Sequence, residues 1–133
     1  MPRLSVWMVR SALLHLGVGL TIGALLLWNK GLPFDAWLWL LRDTHINLLL
    51  VGWTLQFALG MMVWVMPRFT AAPRYGNLRL GWWGWGLLNG GVLLAAGGVW
   101  LGSMCTFAGY VAQAAAFVLF LFLIWRRIKP FAT

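Results

Sequence analysis

Two imidazoles carry most of the chemistry open to this chain. His15 and His45 are its only histidines, Cys105 is its only cysteine, and Asp35 and Asp43 are its only acids, with no Glu in 133 residues. A paired-carboxylate hydrolase or a carboxylate metal cage therefore has nothing to be built from. Cys105 can form neither an internal disulfide nor a multi-thiolate site and reads as a small apolar helix residue. Met61, Met62 and Met66 are thioethers of a kind that suits Cu(I), but methionine at helical spacing ordinarily packs. What remains is imidazole chemistry: an axial metal ligand, a proton relay, or a hydrogen-bonding group inside an apolar body.

That body belongs in a bilayer. The chain is 62% hydrophobic and 9% charged, with mean hydropathy +0.85, far from the roughly 25% charged residues of soluble domains. Four apolar runs, at 6–28, 44–66, 80–101 and 105–127, are long enough to cross about 30 Å of hydrocarbon at 1.5 Å per residue. The pattern predicts an all-α integral membrane four-helix bundle in a single domain, placed in a prokaryotic-type cytoplasmic membrane. The net charge of +8 lies between the apolar runs, so it reads as a topology signal and not as a nucleic-acid surface. Lys30 and Arg42 are balanced by Asp35 and Asp43, whereas Arg68, Arg74 and Arg79 are unopposed, as are Arg3 and Arg10 before them and Arg126, Arg127 and Lys129 after them. The positive-inside rule then puts both termini in the cytoplasm. Gly31 to Asp43, with Pro33, Phe34, Trp37 and Trp39, reads as a short helix in the outer interface. The eleven Trp fall mostly near span ends, as an aromatic belt requires.

Ser11, His15, Gly19 and Gly23 form a stripe at spacing four, which puts His15 on a packed face of the first helix. Counting from the helix ends places His15, Gln56, Asn89 and Gln113 near one midplane layer, where they are expected to hydrogen-bond with one another. His15 could alternatively contact a cofactor or relay a proton. His45 stands at the outer start of the second span, with Arg42 one turn above and Gly52 and Gln56 below on nearly the same face at 100° per residue. An imidazole beside a glycine gap suits an axial ligand to a porphyrin whose propionates point toward Arg42. His15 and His45 are expected to lie about 15–18 Å apart along the membrane normal, too far to share one iron. A six-coordinate haem on His45 would take its second ligand from another copy or another protein.

The segment THINLLLVGWTLQFALGMMVWVMPRF, Thr44 to Phe69, resembles the second transmembrane helix of the haem–copper oxidase superfamily, most closely that of nitric oxide reductase and cbb3-type catalytic subunits. His45, Asn47, Leu48, Leu49, Trp64 and Pro67 match its pattern, and RSALLHLGVGLTIGALLL looks like the first helix of the same family. The resemblance covers roughly 60 residues and implies that His45 is an axial ligand of a low-spin haem. It also implies the limits: the family's catalytic subunits have twelve or more helices and several further histidines, so this chain lacks a binuclear centre and is not expected to reduce oxygen or nitric oxide by itself. The family's threefold arrangement of four-helix arcs suggests a homotrimer, although dimers are commoner.

The first expectation is thus a haem-binding membrane protein, with b-type haem on His45, acting in electron transfer, haem or gas sensing, or haem handling. In this reading Arg42, Gly52, Gln56 and His15 are the candidate cofactor contacts. The alternative is a cofactor-free accessory or assembly subunit of a nitric oxide reductase or terminal oxidase. A channel through the midplane layer is the weakest reading, because an ion path usually shows an intramembrane acid or Lys.

Overall fold

The computed structural model describes residues 1–125, 127 and 128. Arg126 and Lys129, counted above among the C-terminal charges, lie outside them. The described residues form four long helices and no strand. We name them α1 (Arg3–Gly31), α2 (Ala36–Val65), α3 (Leu78–Leu101) and α4 (Ser103–Trp125). Each is long and apolar enough to cross a membrane, and each takes in nearly all of one expected span.

The first connection is folded by one side chain. Asn29, buried in the last turn of α1, accepts from the Phe34 and Asp35 amides at 3.0 and 3.1 Å and donates to the Asp35 carbonyl at 2.7 Å. The Asp35 carboxylate then accepts from the Trp37 amide at 2.9 Å and caps a 3₁₀ turn, Ala36–Leu41. That turn runs directly into Arg42–Asn47, so the segment expected as a separate helix beginning near Pro33 is, from Ala36 onward, the first part of α2. Within α2 the stretch Leu48–Leu55 widens into a π-helix before α-geometry resumes over Gln56–Val65.

Packing is by antiparallel hairpins. Along α1 and α2, Met8 lies against Gly60 and Leu49 against Gly19, since a Cβ on either glycine would come within 2.9 and 2.6 Å of those side chains. Between α3 and α4 the backbones themselves touch: a Cβ on Gly109 would lie 2.5 Å from the Ala95 nitrogen and 2.7 Å from the Gly91 carbonyl oxygen. Such close approach is how helices associate in lipid, where burial gives no drive between apolar surfaces. Gly102, at φ 98°, makes the turn between them in a region that disfavours a side chain. Gly86 and Gly90, a small-residue pair at spacing four on α3, face open space, with no atom within 4 Å of where a Cβ would stand.

The two hairpins converge at the end where α1 begins and α4 finishes. There Leu4, Met8, Val63, Phe120 and Leu123 form a buried cluster, with Leu59, Leu78 and Trp85 packed on it. Arg127, only 1% exposed, closes this end: its guanidinium donates to the carbonyls of Val63, Met66 and Pro67 at 2.9, 2.6 and 3.0 Å. These are carbonyls at and just past the end of α2, which that helix cannot satisfy itself. At the opposite end a polar crevice separates α2 from α3 and α4.

Candidate functional site

Both imidazoles lie between α1 and α2, and they do so reciprocally. His15 of α1 rests on Gly52 of α2, where a Cβ would come within 2.8 Å of the ring, and its Nδ1 lies 3.1 Å from the Gly52 carbonyl oxygen. His45 of α2 rests on Gly23 of α1, where a Cβ would come within 2.6 Å of Cε1, and its Nδ1 lies 2.8 Å from the Gly19 carbonyl oxygen. A carbonyl only accepts, so each Nδ1 donates, and in the neutral ring it is Nε2 that carries the lone pair. Neither Nε2 makes a hydrogen bond among the described residues, and neither is among the sealed, unpartnered atoms. His15 is buried and His45 half-buried.

The π turn explains how Gly52 can accept. In an α-helix its carbonyl would take the Gln56 amide, but that amide bonds the Val51 and Trp53 carbonyls instead. The Thr54 hydroxyl reinforces the wider turn by donating to the Leu49 carbonyl at 2.9 Å. The Gly52 oxygen is thereby turned toward the His15 ring. Sequence periodicity carries no mark of this change from four-residue to five-residue bonding.

The face of α2 that bears His45, Gly52 and Gln56 is therefore real, but α1 occupies it. The gap at Gly52 holds the His15 ring, not a flat space for a porphyrin beside His45. Gln56 is fully buried; its Nε2, with two hydrogens to donate, is shared among three acceptors, Ser11 Oγ, the Met8 carbonyl and Asn89 Oδ1, the last two at 3.3 Å. These two residues line no ring on His45. Arg42 is exposed, one helical turn before His45. His45 sits level with Gly19 to Gly23, which places it four to eight residues beyond His15 along α1, or about 6–12 Å at 1.5 Å per residue. This is closer than the spans alone imply, because α2 already begins at Ala36 and carries His45 deeper. It still keeps the two rings from sharing one metal.

The midplane layer forms only in part. Gln56 and Asn89 are joined, and Ser11 and Trp85 complete the cluster, with Trp85 Nε1 donating to Ser11 Oγ at 3.1 Å and Asn89 donating to the Trp85 carbonyl at 2.8 Å. His15 goes to Gly52 instead. Gln113 lies against Gly91 in the other hairpin, and its Nε2 is sealed without a partner. The sequence pattern does not single out Ser11 and Trp85 as partners. The stripe Ser11, His15, Gly19 does mark the face on which Ser11 lies.

Contact between His15 and Gly52 predicts a coupled pair. Gly52→Ala should cost about 1–3 kcal/mol by overpacking, and His15→Ala should remove most of that cost, because it empties the space the new methyl needs. A double-mutant cycle in mixed micelles checks this, and additive single-mutant effects would show that the two residues do not touch.

Comparison with known protein families, curated proteins and solved structures finds no match to this chain.

Proposed function

We propose that the chain is a haem-binding integral membrane protein with His45 Nε2 as the axial ligand. The observation that supports it is the anchored tautomer: Nδ1 is committed to the Gly19 carbonyl, leaving Nε2 as a lone-pair donor on a half-buried ring. Metal-bound histidines characteristically hold their other nitrogen in this way, which fixes ring orientation and raises basicity. Arg42, exposed on the outer side of the same turn, is placed to pair with a propionate. His15, Gly52 and Gln56 take no direct part in this reading; they position α1 against α2. Five cavities among the described residues have walls that do not include His45. A haem held by His45 would accordingly take the rest of its cover from a second copy or from a respiratory oxidase or reductase. A b-type haem fits, since Cys105 stands alone and cannot supply the thioether pair of a c-type site.

When bound, haem supplies one-electron chemistry or a gas-binding iron. The protein's own part is to hold the imidazole, neutralise a propionate and keep the surroundings apolar. The orientation belongs to the same proposal: both termini and the Arg-bearing 66–77 connection face the cytoplasm, and the 3₁₀ turn Ala36–Leu41 lies at the outer interface.

The reciprocal clasp also favours a second reading. It accounts for both histidines by helix packing alone, as expected of a cofactor-free accessory subunit whose open Gly86 and Gly90 face meets a larger complex. An absorption spectrum of the purified protein, oxidised and reduced, separates the two. His45→Gln is the informative variant, because it keeps an N–H for Gly19 while removing the imidazole. The haem reading expects a Soret band that this variant loses with its helicity intact. A wild type that stays colourless after haem is added would overturn it.

A further inference from the structure

The strongest unassigned feature is the crevice between α2 and the α3–α4 hairpin. It comprises two adjoining cavities of about 270 and 280 Å³ that share Asp43, Asn47 and Tyr110 in their walls. Thr44 and Thr106 line the first and Gln113 the second. Asn47 and Gln113 are 6% and 5% exposed, and neither makes a hydrogen bond among the described residues. Their nitrogens are sealed, but their carbonyl oxygens are not. Amide nitrogens are donors, and these two are closed off from the crevice; what its wall offers an occupant is the two carbonyl oxygens, acceptors that no donor among the described residues meets.

The chemistry of the wall selects the occupant. Although the chain carries a net charge of +8, neither cavity is lined by a Lys, Arg or His, and one of its two carboxylates is present. Hydroxyl and carboxamide oxygens supply further acceptors, and the Tyr110 ring offers a face for a cation. An anion would meet a like charge and no donor cation. A primary ammonium instead brings three N–H donors and one positive charge, which match an array of oxygens around a carboxylate.

We propose that this crevice binds a primary ammonium group, with Asp43 as its counter-ion and Asn47, Thr44, Thr106 and Gln113 as hydrogen-bond acceptors. The group comes either from the headgroup of an ethanolamine phospholipid or from a small free amine. The site is independent of His45, which faces α1 from the other side of α2.

The test uses the full chain in detergent, exposed to equal amounts of phosphatidylethanolamine and phosphatidylcholine with identical acyl chains, with adducts counted by native mass spectrometry. The two lipids differ only in methylation of the nitrogen. A lipid source predicts an ethanolamine-lipid preference of about tenfold, the size of one charge-assisted hydrogen bond, which Asp43→Asn abolishes and Asp35→Asn leaves intact. A free-amine source predicts no lipid preference, but a rise in Tm with ethanolamine that Asp43→Asn removes. Neither response in the wild type, or a preference that survives Asp43→Asn, would overturn the proposal. Asp43 is exposed, so its conservative replacement leaves the fold in place to be measured, and circular dichroism verifies it.

Discussion

Gly109→Leu should pull α3 and α4 apart, whereas Gly86→Leu on the same hairpin should be nearly silent. At Gly109 the first added carbon would sit 2.5 Å from the Ala95 nitrogen and 2.8 Å from its Cα. These are backbone atoms, which cannot rotate away as a side chain can. Gly91 faces the same contact from the other helix, with a Cβ there meeting the Gly109 carbonyl oxygen at 2.8 Å. Relief requires separating two helices that the short turn at Gly102 holds together, and this loses van der Waals contact along the length of the crossing. The cost should reach about 3 kcal/mol or more, the upper part of the overpacking range. At Gly86 nothing lies within 4 Å of the added carbon, so a change within about 0.5 kcal/mol is expected. Unfolding in mixed micelles measures both. Equal losses at the two positions would mean that Gly86 is covered in the folded protein or that the α3–α4 contact is looser than its geometry indicates.

The parts of this architecture legible in the sequence are those governed by solvent preference and periodicity. Runs of apolar residues long enough for a bilayer announce the four helices directly. The stripe Ser11, His15, Gly19 identifies a packed face because small and polar residues at spacing four are useful in lipid only against another helix. Periodicity gives the direction of a face, however, not what meets it. Gly52 reads as a gap beside His45, and the gap exists, but the ring filling it comes from thirty-seven residues away. The π turn that offers the Gly52 carbonyl depends on which of several nearly equal backbone bonds forms, and no residue type at 48–55 signals that choice. In the sequence Asp43 reads only as a counter-charge to Arg42, because its neighbours Thr106, Tyr110 and Gln113 come from another hairpin. The haem reading of His45 draws on a sequence resemblance together with an anchored Nδ1, and its decisive observation is spectroscopic.

Arg127 shows the same limit for charge patterns, and it supports the second large prediction. In the sequence it is one of several cations that set topology. In the folded chain it is buried beneath the end of α2, holding the Val63, Met66 and Pro67 carbonyls, with the Tyr75 ring 5.7 Å from its guanidinium carbon. Burial lowers its pKa from the ordinary value, and the nearby Tyr75 opposes that shift. A guanidinium nevertheless stays protonated, and its positive charge is favourable where the helix dipole is negative. Arg127→Ala would leave three carbonyls without their donor, and a hydrogen bond to a charged group is worth about 1.5–3 kcal/mol. Because the three share one side chain, the loss should be about 3 kcal/mol in total and not the sum of three. Arg127→Lys should recover only part of it, since an ammonium cannot reach three carbonyls in the fixed planar fork of a guanidinium. The same variant should leave His45, at the opposite end of α2, undisturbed. Arg127→Ala is thus expected to lower Tm while any Soret band persists at temperatures where the fold survives. A variant as stable as the wild type would mean that water satisfies those carbonyls and that Arg127 is held at the helix end by its contact with Tyr75 alone.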